Sequence, residues 1–379
     1  MPPIIGRRAT EIRVGVVVID LESLPACEIA ARIGALRRRF DAAGIDALLC
    51  TDLVSVRYLT GFTGSNAVLL VGADRSVIIT DGRYQTQVTE QLASAGVDAG
   101  VEITRTPLDV LASHLAPPLR LGLEADAVSW AASQTYAESL DVELVATSDL
   151  VASLRAIKDT GEIARLEVAS GIADAALANL RDRFVPGTVE REFALALDSE
   201  MVRLGADGRS FETIVASGPN GAKPHARPTP RPFADGDLVI VDFGALVDGY
   251  HSDMTRTFGV GALSDTQHRM VEVVTDAQAA GVAAVGPGVE AASVDAACRD
   301  HIGAAGWGDA FLHGTGHGIG LVIHEDPRVA KDADGLLETG HCVTVEPGVY
   351  LADHGGVRVE DSVVVTDGGC RPLTKFPKD

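Results

Sequence analysis

Apolar positions set the pattern from residue 29 onward. Ile29, Ile33, Leu36 and Phe40 recur at helical spacing with Arg37, Arg38 and Arg39 between them, which predicts one amphipathic helix closed by Gly44. Residues 46–50 then read as a buried strand. Two more strands follow at 68–71 and 77–80, parted by the polar Ala73-Asp74-Arg75. A helical pattern covers 84–95, with further strands at 119–123 and 142–145. Strands alternating with helices over residues 21–155 predict a small α/β domain.

The pattern changes near Lys158. Asp159 and Glu162 have the spacing of a capping box, with Asp in the place of Ser or Thr. The long helix they start carries Ile163, Leu166, Ala169, Ala173, Leu177 and Leu180 on one face. Pro186-Gly187 breaks it, and Thr188 is the expected cap of the next helix, which begins Val189-Glu190-Arg191-Glu192-Phe193. A boundary near residue 155 therefore separates the first domain from a second over 156–379. Residues 1–20 carry Arg7-Arg8 and a short apolar run at 14–19; they form an extension, either a strand or a loose segment. That run is shorter than a secretory signal requires.

The second domain holds an internal repeat. Residues 236–244 read Gly-Asp-Leu-Val-Ile-Val-Asp-Phe-Gly, and residues 340–348 read Gly-His-Cys-Val-Thr-Val-Glu-Pro-Gly. Each runs from glycine through an apolar strand to a carboxylate, Asp242 and Glu346, with glycine two residues later. Each is followed by a second strand with its own acid, Asp253 and Glu360. Two such hairpins related by a pseudo-twofold axis bring four acids at strand centres together. Burying an ionised carboxylate unpaired costs several kcal/mol. The nearby basic residues are Arg256 and Arg358, with no lysine, so a divalent metal is the natural neutraliser.

Charge and cysteine usage narrow the function. Lys plus Arg number 32 against 53 Asp plus Glu, a balance that excludes a nucleic-acid footprint and docking on anionic membranes. No apolar run is long enough to span a bilayer. Five scattered cysteines, without a C-x-x-C pair, point to a reducing, cytoplasmic setting rather than a disulfide framework.

Histidines supply the remaining chemistry. Residues 311–327 read Phe-Leu-His-Gly-Thr-Gly-His-Gly-Ile-Gly-Leu-Val-Ile-His-Glu-Asp-Pro, placing His313, His317 and His324 among glycines that allow close backbone approach. The segment does not register on the dinucleotide fingerprint G-x-G-x-x-G. His324-Glu325-Asp326-Pro327-Arg328 lacks the second histidine of H-E-x-x-H. Ser65 has no G-x-S-x-G context.

Together Val-Asp-Phe-Gly, Ser-Asp-Met-Thr-Arg-Thr-Phe, Gly-His-Gly-Ile-Gly, Val-Glu-Pro-Gly and Arg-Val-Glu-Asp resemble the motifs of the methionine aminopeptidase/aminopeptidase P/prolidase family. The resemblance covers about 160–376, and Val56-Arg57-Tyr58-Leu59-Thr60-Gly61-Phe62 resembles the N-terminal domain of prolidases, aminopeptidase P and creatinase. It implies an α/β (α+β) architecture, with a creatinase-like N-terminal domain before a pita-bread catalytic domain. It implies Asp242, Asp253, His317, Glu346 and Glu360 as ligands of two divalent metals: Mn²⁺ foremost, with Co²⁺, Fe²⁺ or Zn²⁺ also compatible. Glu346 then doubles as proton shuttle, with a water between the metals as nucleophile. His225 (in Lys-Pro-His-Ala-Arg-Pro) and His324 contact substrate; His313 and Arg358 mark the proline-specific branch. Tyr250 and Asp248 are candidates for supporting contacts at the metal site. The implied activity is hydrolysis of the bond before proline in dipeptides or short peptides by a homodimer. The alternatives are methionine-aminopeptidase-like activity or a metallohydrolase of this fold acting on another small C–N substrate.

Overall fold

A computed structural model describes residues 20–378, so the expectation for the apolar run at 14–19 lies outside the described residues. The first half is built on a six-stranded sheet: β1 Ala47–Cys50, β2 Ala67–Gly72, β3 Ser76–Thr80, β4 Gly100–Ile103, β5 Arg120–Glu124 and β6 Glu143–Thr147. Their order is β4-β3-β2-β1-β5-β6. β1 runs parallel to β5 and antiparallel to β2. All four residues of β1 are buried, as an uninterrupted apolar run in a central strand requires.

The helix expected over residues 29–40 is divided. A 3₁₀ turn at Ile29–Ala31 leads into Arg32–Arg37, and a further turn of helix occupies Phe40–Ala43. The break falls at Arg38-Arg39, where the Arg39 amide bonds back three residues to Leu36 O and its guanidinium reaches Leu150 O. Ile33, Leu36 and Phe40 still face the core. Arg32 is buried too, because it pairs with Asp159 and Glu162 at 2.7 and 3.1 Å.

The capping box forms as read: Asp159 Oδ1 accepts from Glu162 N, and Glu162 Oε2 accepts from Asp159 N. The helix runs Thr160–Leu180 and gives way to a 3₁₀ turn at Arg181–Arg183, before Pro186-Gly187. Thr188 does not cap the following helix, Glu190–Arg203. Its hydroxyl donates backwards to Arg183 O, and Val189 stands at the cap without a side-chain bond.

The second half contains β7 Gly208–Arg209, β8 Ile214–Ser217, β9 Asp237–Phe243, β10 Ala245–Val247, β11 Tyr250–His251 and β12 Met254–Val260. After two helices, Asp265–Ala284 and Ala291–Ala304, come β13 Gly316–Gly318, β14 Glu325–Val329, β15 Cys342–Val345, β16 Gly348–Leu351, β17 Gly355–Arg358, β18 Asp361–Thr366 and β19 Gly369–Pro372. The repeat is visible in the pairing. β9 pairs antiparallel with β12 around the inner pair β10/β11, and β15 pairs with β18 around the inner pair β16/β17. Gly236 and Gly340, which open the two copies, both have left-handed φ, 83° and 95°, a conformation that only glycine adopts without strain.

The two copies of the repeat meet where Glu360 N donates to Thr255 O and Thr257 Oγ1 donates to Arg358 O. Only Asp242 lies inside a strand. Asp253 immediately precedes β12, Glu346 immediately follows β15, and Glu360 sits between β17 and β18. The acids therefore project from strand ends, where the backbone turns into the inner hairpins, and not from strand centres.

Tyr250 and Asp248 serve elsewhere than the metal site. The Tyr250 hydroxyl donates to Glu162 Oε1 at 3.1 Å, and Asp248 receives Arg57 at 2.8 Å and Arg165 at 2.6 Å. Asp248 ties the β10/β11 hairpin to Arg57 of the first half, and both residues tie it to the helix Thr160–Leu180. Burial raises the Glu162 carboxyl to about 7 against the opposing pull of Arg32.

Candidate active site and metal centre

One cavity of about 420 Å³ is lined by all nine sequence-predicted site residues: Asp242, Asp253, His317, Glu346 and Glu360 with His225, His313, His324 and Arg358. Larger concavities on the first half are lined by different residues. Volume does not select the site. Chemistry does.

His317 is set by its backbone. Its amide donates to Thr344 Oγ1 at 3.1 Å, and β13 can lie this close because a Cβ on Gly316 would stand 2.0 Å from Thr344 O. Nδ1 donates to Gly318 O at 3.1 Å, so Nε2 is left with its lone pair. That lone pair faces Asp253 Oδ2 at 3.6 Å and Glu346 Oε1 at 3.5 Å. Burial lowers the ring to about 4, so the imidazole is neutral at pH 7.

The acids around it repel one another. Asp253 and Glu360 are buried, and their carboxyls are held well above the usual range by desolvation and by the neighbouring carboxylates. Glu346 is raised to about 8, first by desolvation and further by Asp242. Thr255 Oγ1 donates to Glu360 Oε2 at 2.6 Å, while Glu360 Oε1 is buried without a hydrogen-bond partner. Ligand atoms of Asp253, His317 and Glu360 all lie within 4.8 Å of one another. A lone pair aimed at carboxylates, an orphaned buried oxygen and mutually raised acids fit a site for divalent cations. The oxygen-rich set with one imidazole suits first-row divalent metals.

Arg358 is the buried counter-charge. Nη2 donates to Asp242 Oδ2 at 2.5 Å, Nε to Thr255 Oγ1 at 3.1 Å, and Nη1 to the Tyr350 hydroxyl at 2.9 Å and Pro224 O at 3.2 Å. Arg256 instead pairs with Asp361 at 2.8 Å, and Lys378 adds a second cation there at 2.6 Å. The C-terminal segment thus supplies a lysine beside the second hairpin, which the sequence reading did not place there.

Because Arg358 can only donate, the Tyr350 hydroxyl accepts from it and gives its own proton to His313 Nε2 at 2.9 Å. His313 Nδ1 donates to Gly314 O at 2.8 Å. Both ring nitrogens are engaged, and burial lowers the ring to about 4. His313 therefore presents a neutral ring to the cavity, beside Phe211, Ile214 and Ile323. The His324 ring meets His317 edge-on, with centroids 4.3 Å apart.

Two residues escaped the sequence reading. Tyr350 stands four residues after Glu346 on β16, and its only signal was a polar aromatic within the second repeat. Arg328 lines the cavity from β14 and pairs at the surface with Asp332 at 3.3 Å. It ends the His324–Arg328 stretch that the sequence reading used only to exclude a single-zinc helix.

Comparison with known proteins gives a concordant picture. The profile of "Metallopeptidase family M24" matches residues 164–367, and that of "Creatinase/Prolidase N-terminal domain" matches 32–157. A Xaa-Pro dipeptidase of Pyrococcus furiosus is 33% identical over 351 residues, 92% of this chain and 99% of that protein. The solved Xaa-Pro dipeptidase from Bacillus anthracis superposes with a TM-score of 0.90 at 40% identity, covering 93% of this chain and 99% of that one. The X-Pro aminopeptidase from Thermotoga maritima gives 0.82 at 32% identity, covering 90% and 99%.

Proposed function

This chain belongs to metallopeptidase family M24 and carries a creatinase/prolidase N-terminal domain, and from that premise we propose that it hydrolyses the bond before proline in Xaa-Pro dipeptides and short peptides. The observation that carries the reading is one cavity lined by Asp242, Asp253, His317, Glu346 and Glu360 and, beside them, a neutral His313 locked by Tyr350 and Arg358. A boundary between the two domains near residue 155 belongs to the same reading.

Asp242, Asp253, His317, Glu346 and Glu360 would hold two divalent cations, manganese foremost. Bound there, the cations supply Lewis acidity and lower the pKa of water. Glu346 would accept a proton from the attacking water and deliver it to the leaving nitrogen. His225 and His324 hydrogen-bond the substrate carbonyl and steady the charge that develops on its oxygen. Arg358, with four of its five N–H donors committed to Asp242, Thr255, Tyr350 and Pro224, acts chiefly by orienting a metal ligand.

Selectivity for proline follows from the His313 ring. With both nitrogens occupied it offers an apolar face, which packs on a pyrrolidine ring without leaving a polar group unpaired. Arg328 is the remaining guanidinium of the lining, and its surface pair with Asp332 is weak enough to exchange for a substrate carboxylate. That carboxylate lies at the second residue only in a dipeptide, so we assign dipeptidase action ahead of aminopeptidase action. A homodimer and a cytoplasmic location complete the reading; among the described residues no helix is long and apolar enough to cross a membrane. Kinetics on Ala-Pro beside Met-Ala-Ser test the substrate assignment. Faster cleavage of Met-Ala-Ser would remove it.

A further inference from the structure

Glu190 opens the helix Glu190–Arg203 and is fully buried, yet no cation is paired with it at contact distance among the described residues. Its carboxylate is instead saturated by donors from one loop. Oε1 accepts from Ser217 N at 2.8 Å, Ser217 Oγ at 2.6 Å and Asn220 Nδ2 at 3.1 Å. Oε2 accepts from Thr229 N at 2.9 Å, Thr229 Oγ1 at 2.6 Å and Asn220 Nδ2 at 3.1 Å. The positive end of the helix dipole favours a negative charge here, and the first-turn amides of Glu190 and Arg191 donate to Arg231 O and Thr229 O. A buried carboxylate persists when its oxygens are met this fully, and charge-assisted bonds of this kind are the stronger class.

The donors bracket one segment. Ser217 ends β8, Asn220 lies in the turn that follows, and Thr229 closes the loop; His225 stands between them and lines the active-site cavity. In the middle of the loop, Pro224 O accepts from Arg358 Nη1. Glu190 thus holds both ends of the strap that carries His225, while Arg358 holds its centre. We propose that Glu190 is the positioning residue of His225, fixing the 217–229 loop so that the imidazole is presented to the substrate. The proposal rests on the reading of His225 as a substrate contact.

The isosteric Glu190→Gln keeps the shape but turns an amide nitrogen toward donors that need an acceptor, so part of the strap is released. The test compares manganese-loaded wild type, E190Q, H225A and the double variant. Turnover of Ala-Pro is measured beside hydrogen exchange of the backbone over 217–229. In E190Q, exchange in that segment is expected to rise about tenfold while the six-stranded sheet is unchanged. kcat/KM should fall about tenfold, and the double variant should lie within about twofold of H225A alone. Unchanged exchange over 217–229, or losses that multiply in the double variant, would overturn the proposal. If H225A turns over at the wild-type rate, the catalytic reading of His225 fails, and the exchange measurement still decides whether Glu190 holds the loop. Should E190Q not fold, Thr229→Val removes one donor, leaves the carboxylate in place and is judged on the same two readouts.

Discussion

The Tyr350 hydroxyl lies 2.9 Å from His313 Nε2 and determines which form of that ring faces the cavity. Tyr350→Phe removes the proton given to Nε2 and the acceptor used by Arg358. His313 should then titrate above its present value of about 4, and the acid limb of kcat/KM for Ala-Pro should move to higher pH. The loss of one buried hydrogen-bond chain corresponds to about tenfold in kcat/KM. A pH–rate profile checks both; an unchanged acid limb would separate Tyr350 from His313 function.

Arg328 separates the two substrate lengths. Arg328→Gln should raise KM for Ala-Pro about tenfold, with kcat nearly kept, because only ground-state binding of the carboxylate is lost. Ala-Pro-Ala, whose carboxylate lies one residue further, should be affected less. Equal effects on both substrates would remove Arg328 from carboxylate recognition.

The carboxylate cluster should be a liability until it is filled. Desolvation and mutual repulsion raise Asp253, Glu346 and Glu360 together, so Asp253→Asn should melt higher than wild type when both are metal-free above pH 7. Added Mn²⁺ should raise the wild-type Tm and leave the variant nearly unmoved. Thermal melts with and without metal read this directly, and a variant that still gains Tm from Mn²⁺ would contradict the ligand assignment.

Glu162 sets a pH dependence away from the active site. Its carboxyl is raised by burial from 4.5 to about 7, so between these values the native state binds more protons than the unfolded state. Stability is therefore fully present below pH 4.5 and is lost as pH rises through about 7, an effect of up to about 3 kcal/mol. Glu162→Gln should flatten the decline of metal-loaded Tm over that window. A variant with the wild-type slope would place the titration elsewhere.

Much of this arrangement was legible in the sequence because it repeats or alternates. β1 and the capping box of Thr160–Leu180 depend on neighbours within a few residues, and they formed as read. The four acids were legible because two copies of one pattern each carry an acid six residues after a glycine and a second acid on the following strand, although their places at strand ends were not. Thr188 misled because a hydroxyl before a helix bonds backwards as readily as forwards. Asp248 and Tyr250 misled for another reason. Their partners Arg57 and Glu162 lie 191 and 88 residues away, and no local period encodes such contacts. Tyr350 and Arg328 are single side chains without a spacing to mark them.

The most direct measurement is hydrolysis of Ala-Pro by metal-stripped protein, with Mn²⁺ added back, beside Ala-Pro-Ala under the same conditions. Cleavage that vanishes on stripping, returns with about two equivalents of metal and favours Ala-Pro is the expected result. Cleavage of neither peptide by protein that binds two metals would contradict a peptidase acting before proline.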